Sequence, residues 1–193
     1  MSVTVIIPTL TSRREACERT VEAYKEQGAK VLVVTGAPTC GEGWAAGFAK
    51  TRAAHVLLGG DDAVPHHGTV EAGVRAADEG IYPSPRIVLV DGELESCGSL
   101  GGGAHFPECD DGTPAYMSSY PIATREMWKR LGKPLPIHYY IDDYFGYRAR
   151  LAGLRCEVVR DYAFTHYDEQ HGRPRVVARA MEDRTRYVEA AVS

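Results

Sequence analysis

The five cysteines (Cys17, Cys40, Cys97, Cys109 and Cys156) are odd in number, widely scattered and include no Cys-x-x-Cys pair. That excludes a thiolate zinc centre of the finger type and argues against a disulfide framework, so a reducing, cytoplasmic setting is the expectation. Also lacking is any apolar run near the roughly 18 to 20 residues that a membrane-spanning helix requires. Met1-Ser2-Val3-Thr4-Val5-Ile6-Ile7-Pro8 has no basic n-region and reads as a first strand, not as a signal peptide. Positive charge is in deficit. With 22 Lys and Arg against 26 Asp and Glu, the net charge is −4, and no overall field draws the chain to nucleic acid or anionic membrane. Neither an internal repeat nor a low-complexity segment is present. What remains, 193 residues at 44% hydrophobic and 25% charged, has the composition of an ordinary globular protein and the length of one α/β domain.

The apolar residues fall into short runs separated by helical stretches. Residues 3–8 form an unbroken run with β-branched members, as expected of a strand buried on both faces. A helix is predicted over 12–27, with Ser12 as candidate N-cap, Glu15 three residues on and Gly28 as the stop. Residues 30–34 read as a second buried strand, 43–52 as a short alanine-rich helix and 55–58 as a third strand. A helix over 67–78 and a fourth strand over 86–90 follow. This alternation predicts right-handed βαβ units and a mostly parallel sheet. From 91 to 116 the pattern gives way to Gly98-Ser99-Leu100-Gly101-Gly102-Gly103 and Asp110-Asp111-Gly112, a loop length more often functional than idle. Helices over 123–131 and 142–152, a strand over 155–159 and a final amphipathic helix opened by Pro174 complete the reading.

Three places can carry chemistry. Val56-Leu57-Leu58-Gly59-Gly60-Asp61-Asp62 runs an apolar strand straight into two carboxylates, at the end where open α/β sheets bind ligands. Paired acids suit a hard divalent cation bridging diphosphate oxygens; the same pair can equally form a turn and cap the next helix. Asp142-Asp143 opens a predicted helix, where acids either cap the N-terminus or, suitably placed, take a proton from a hydroxyl. His166 ends a strand, and His171 stands five residues further on. Trp44 and Trp128 are candidates for stacking on a base or sugar, or simply for the core.

Taken in order, these features resemble the family 2-like glycosyltransferases of the GT-A fold, within the nucleotide-diphospho-sugar transferase superfamily, from Val3 to about His166. Val3-Thr4-Val5-Ile6-Ile7-Pro8-Thr9 looks like their opening strand, with Arg13 or Arg14 near the basic residue beyond it. Gly41-Glu42-Gly43-Trp44-Ala45-Ala46-Gly47 is similar to their small-residue segment, and Gly60-Asp61-Asp62 stands at their Asp-x-Asp motif. Asp142 through Arg148 to Gly153 looks like their acidic helix.

The resemblance implies an α/β, Rossmann-like GT-A domain over 1–193, its mixed, mostly parallel sheet flanked by helices. A nucleotide-sugar half would span about 1–90 and an acceptor half about 91–193. It further implies transfer of a sugar from a nucleotide-diphosphate sugar to an acceptor hydroxyl, with inversion. Pro8, Thr9, Arg13, Thr35, Gly43, Gly60 and Asp61 would meet the donor. Asp62, Asp61 and His166 would hold Mn²⁺ or Mg²⁺, and Asp142, with Asp143 as close second, would be the base. Three positions depart from the family: Gly60 replaces the first acid of the motif, Thr35-Gly36 an acid after the second strand, and Ile141 an acid before Asp142. The acceptor (protein, glycan, lipid or modified nucleic acid) is not specified. Two other readings stand beside this one. A nucleotidyltransferase of related fold ranks lower, because Thr9-Leu10-Thr11-Ser12-Arg13-Arg14 lacks the glycine-rich loop for a triphosphate. A catalytically silent nucleotide-sugar-binding module is the other.

Overall fold

The computed structural model describes residues 2–90, 94–96, 119–138, 141–167 and, near the C-terminus, 182, 183, 185, 186, 189 and 190, with the backbone alone at 89, 94–96, 142 and 143. Strand β1 (Val3–Thr9) is central in the first sheet, with β2 (Lys30–Thr35) and β3 (His55–Leu58) parallel to it on either side. A three-residue strand, β7 (Ile122–Thr124), runs antiparallel along the outer side of β3. The second sheet has the order β4 (Ala63–Pro65), β8 (Arg155–His166), β5 (Ile81–Leu89) and β6 (Leu94–Ser96), and its long β5–β8 ladder is parallel. The fold class is therefore the mixed α/β arrangement expected, with the longest ladders parallel.

Period-two alternation along β1 divides the interior into two cores. Ile6 packs on one side with Trp44 of α2 (Cys40–Lys50), Trp128 of α4 (Arg125–Leu131) and Phe145 of α5 (Ile141–Leu151). Val3, Val5 and Ile7 pack on the other with Cys17 and Tyr24 of α1 (Arg14–Glu26) and Val70 and Val74 of α3 (Thr69–Asp78). The crossovers from β1 to β2 and from β2 back past β1 to β3 run in opposite directions, so right-handed βαβ connections put α1 and α2 on opposite faces.

Local chemistry explains most element boundaries. Gly28 and Gly153 take φ of +76° and +62° just beyond α1 and α5, where a left-handed residue ends a helix at no steric cost. Helix α2 starts three residues earlier than expected. The Thr39 hydroxyl accepts from the Glu42 amide at 3.1 Å and donates to the Glu42 carboxylate at 2.8 Å, a Thr-x-x-Glu box readable in the sequence. Ser12 is not the cap of α1; it lies in a short 3-10 turn, Thr11–Arg13, and Arg13 occupies the cap position. Strand β2 is not buried as expected but half exposed, because it is the sheet edge. The strand expected over 155–159 continues to His166, and the one expected over 86–90 begins at Ile81. Its ladder to β8 shifts register between Ser84 and Arg86, where Pro85 has no N–H to donate. The expected loop over 91–116 lies outside the described residues except for β6. The same holds for the final helix apart from its six described positions, which are helical.

Small residues let α2 lie close on the sheet. A Cβ at Gly47 would meet Ile6 Cγ2 at 2.2 Å, one at Gly43 would meet Pro8 Cβ at 2.7 Å, and one at Gly41 would meet the Leu135 carbonyl oxygen at 1.7 Å. The first two contacts are with side chains, the third with backbone that cannot rotate away. Gly41→Ala is thus expected to destabilise by about 2 kcal/mol, the overpacking cost exceeding the roughly 1 kcal/mol gained in helix propensity. Denaturant unfolding beside Ala45→Gly, which loses propensity without a clash, checks this.

Candidate functional site

The C-terminal ends of β1, β2 and β3 share one edge of the first sheet. Register sets Pro8 beside Val34 and Thr9 beside Thr35, and Gly43 packs on Pro8 from α2. Beyond β3 the backbone of Gly59 is fixed on both sides: its amide donates to the Ile6 carbonyl at 2.9 Å, and its carbonyl accepts from the Trp44 indole at 3.0 Å. Trp44 is therefore a buried support and not a stacking surface. Trp128 is likewise buried and donates to the Val56 carbonyl at 3.0 Å.

Asp61 and Asp62 emerge from this fixed point. They do not cap α3, whose N-cap is Gly68. Asp61 is 7% exposed, and its Oδ2 accepts from the Thr9 hydroxyl at 2.6 Å. Thr20 of α1 donates to its carbonyl at 3.2 Å. Burial raises the Asp61 carboxyl above the usual range despite the Thr9 hydroxyl. Burial would also raise Asp62, but His166 and Arg13 outweigh it and hold that carboxyl below its ordinary value. Arg13 Nη2 lies 2.8 Å from Asp62 Oδ2, while its Nε lies 3.5 Å from Asp61 Oδ2. One guanidinium thus bridges both acids from the turn after β1.

His166 reaches the same place from the second sheet. The β4–β8 register pairs it with Ala63, and the Tyr167 amide donates to the Asp62 carbonyl at 2.8 Å. Its Nε2 is 3.7 Å from Asp62 Oδ2. Sequence reasoning missed the residues that steady this junction. The Arg19 guanidinium lies 3.9 Å from the Tyr167 ring centroid, a cation–π contact joining α1 to the end of β8. Tyr120 takes a positive φ of 52°, rare for an aromatic residue and the feature that marks it. Its carbonyl accepts from the Tyr162 hydroxyl and its ring lies 5.2 Å from that of Phe164. A Cβ at Gly60 would meet Tyr120 Cε1 at 2.8 Å, so the ring occupies the space an acid at position 60 would need.

Thr9, Arg13, Asp61, Asp62 and His166 are therefore brought together, with Pro8, Thr35, Gly43 and Gly60 around them. Asp142 and Asp143 begin α5, whose Ile141, Tyr144 and Phe145 pack into the same core as Trp44. The side chains of both acids lie outside the described residues, as does His171. For a divalent cation the donor chemistry fits. Two carboxylates and an imidazole are hard or borderline donors, and 3.7 Å between Asp62 and His166 is a span that two ligands at about 2.1 Å from one ion can share. Among the described residues, however, no group of three such side chains stands arranged as a metal cluster. The place between the acids is held by Arg13.

No protein-family model matches the chain, and no curated protein matches it by sequence. Solved structures do match. Glucosyl-3-phosphoglycerate synthase from Mycobacterium tuberculosis, in complex with Mg²⁺ and UDP, superposes with a TM-score of 0.64 at 17% identity, over 98% of this chain and 79% of that one. Mannosyltransferase PcManGT from Pyrobaculum calidifontis, in complex with GDP-Man and Mn²⁺, gives 0.61 at 17% identity, over 99% and 64%. S. aureus TarS 1–349 gives 0.60 at 15% identity, over 86% of this chain and 60% of that one. The chain thus spans about 60% of the length of that TarS fragment. At these identities the likeness is one of backbone architecture. The chain has the GT-A fold.

Proposed function

We propose that this chain is a metal-dependent glycosyltransferase that moves a sugar from a nucleotide-diphosphate sugar to an acceptor hydroxyl, with inversion. The observation that carries the reading is the junction itself. Two acids after β3, a threonine ending β1 and an arginine after it, and a histidine ending β8 meet where an open α/β sheet binds its ligands. The structural neighbours described with UDP and Mg²⁺, or with GDP-Man and Mn²⁺, support the same class of ligand.

In this reading residues 1–90 form the donor half and 91–193 the acceptor half. Pro8, Thr9, Thr35 and Gly43 line the nucleotide side, where small side chains leave room for a base and ribose. With Tyr120 over Gly60, no carboxylate projects from that position toward the ribose, which leaves Asp61 for that contact. Asp61, Asp62 and His166 would hold Mn²⁺ or Mg²⁺, whose chemistry is to neutralise charge on a departing nucleoside diphosphate as a Lewis acid. Arg13 supplies a further positive charge on the same side. At the start of α5, Asp142 takes the acceptor proton as the acceptor oxygen attacks the anomeric carbon, with Asp143 beside it. No helix among the described residues is long and apolar enough to cross a membrane.

The test is a thermal-shift panel of UDP, GDP, ADP, CDP and dTDP, each with Mn²⁺ and with EDTA. A nucleotide present at about 100 times its dissociation constant adds roughly 2.7 kcal/mol, a shift on the order of 5 °C for a domain of this size. One nucleotide is expected to raise the melting temperature with Mn²⁺ and to lose that effect in EDTA. A flat panel, with no hydrolysis of any nucleotide sugar, would leave a silent module of this fold.

A further inference from the structure

Arg13 poses a charge problem for the proposed site. Its guanidinium touches Asp62 Oδ2 at 2.8 Å and faces Asp61 Oδ2 at 3.5 Å, the same two oxygens a divalent ion would use. The three side chains are only 20%, 10% and 16% exposed, so solvent screens them weakly. An ion arriving at Asp62 would face a guanidinium a few ångströms away in a medium where like charges repel strongly. Such an ion binds with Arg13 in place only weakly, or binds once Arg13 has turned away.

The second case requires Arg13 to turn away. It sits on the three-residue 3-10 turn between β1 and α1, with no residue of that turn buried. What would draw it off is an anion larger than a carboxylate, and a guanidinium fork is suited to a diphosphate.

We infer that Arg13 is a built-in counter-ion that keeps the Asp61–Asp62 pair closed to divalent cations until a diphosphate draws it away. The inference rests on the proposed function for the identity of the diphosphate, but the competition between Arg13 and the ion does not. Metal and nucleotide binding then become coupled through one side chain. Wild-type protein has low affinity for the ion alone and gains it when the nucleotide is present; by linkage, the ion raises nucleotide affinity by the same factor. Without the Arg13 charge, the ion no longer waits for the nucleotide.

The experiment is calorimetric titration of MnCl₂ into nucleotide-free protein: wild type, Arg13→Gln, Arg13→Lys and the double variant Arg13→Gln/Asp62→Asn. Arg13→Gln is expected to bind Mn²⁺ about tenfold more tightly than wild type, within the usual range of coupling between sites. Arg13→Lys keeps the charge and is expected to stay close to wild type. The double variant is expected to lose the gain, which assigns it to this acid pair. Equal or weaker Mn²⁺ binding by Arg13→Gln, with circular dichroism and melting temperature like those of Arg13→Lys, would overturn the inference. So would a gain that survives in the double variant. A flat nucleotide panel with the Mn²⁺ gain present would instead count against the proposed function and leave the counter-ion role standing.

Discussion

Asp142→Asn is expected to lower turnover by about 10²- to 10⁴-fold, the range that a positioned general base contributes, with donor affinity nearly unchanged. The substitution separates two roles the position permits. Asp142 lies in the first turn of α5 (Ile141–Leu151), where an acid also serves as a helix-terminal group. Asn satisfies helix N-termini about as well as Asp does, so a purely structural role predicts no change in melting temperature and little in rate. Only the basic role predicts a lost rate in a fully stable protein. Steady-state kinetics with one nucleotide sugar and a simple acceptor, or its slow hydrolysis without one, measures the effect. Asp143→Asn is the control. If that variant loses the rate and Asp142→Asn keeps it, the base is the neighbour; if both keep it, neither acid is the base.

Asp62→Asn is the second large effect. Its Oδ2 is the point where Arg13 at 2.8 Å and His166 at 3.7 Å converge, and those neighbours hold its carboxyl ionised against burial. Asn keeps the shape and removes the charge. Transition-state stabilisation worth several kcal/mol is then lost, which at 1.36 kcal/mol per decade is a fall of about 100-fold or more in kcat. Mn²⁺-dependent stabilisation by nucleotide is expected to vanish with it. The fold should persist, because the Asp62 carbonyl, which accepts from the Tyr167 amide, is untouched by the change. A variant that still turns over and still shows the Mn²⁺-dependent shift would place the cation elsewhere.

Much of the fold was readable along the chain. Strand β3 matches its sequence-based expectation over 55–58, and β1 extends one residue beyond it at its C-terminal end, because both are short, largely apolar runs bounded by turn residues. The helix stops at Gly28 and Gly153 were readable because a positive φ at a helix end is a local property of glycine. Three-residue strands such as β4 and β7 were not, since so short a segment carries no periodic pattern; their pairing partners make them strands. Exposure of β2 was also illegible. Its sequence, Lys30–Thr35, resembles a buried strand, and only its place at the edge of the sheet leaves it half covered.

The candidate site divides the same way. That two acids follow an apolar strand, that an arginine follows the first strand and that a histidine ends a late one were all visible as residue types in order. Their union was not. Asp62 and His166 meet because β8 runs for twelve residues and pairs antiparallel with β4, a long-range register that local propensity does not encode. Likewise Gly60, which as a sequence position is only a missing acid, is explained by the Tyr120 ring lying against it.

The sequence by itself determined the element types, the alternation that makes a parallel α/β sheet, and the acids and bases on offer, since each follows from local sterics, patterning and side-chain chemistry. Only the tertiary structure decided that Arg13, and among the described residues no third acid, faces Asp61 and Asp62. That outcome depends on which chain ends the sheets bring within a few ångströms, and buried charges settle on whichever partner packing places there.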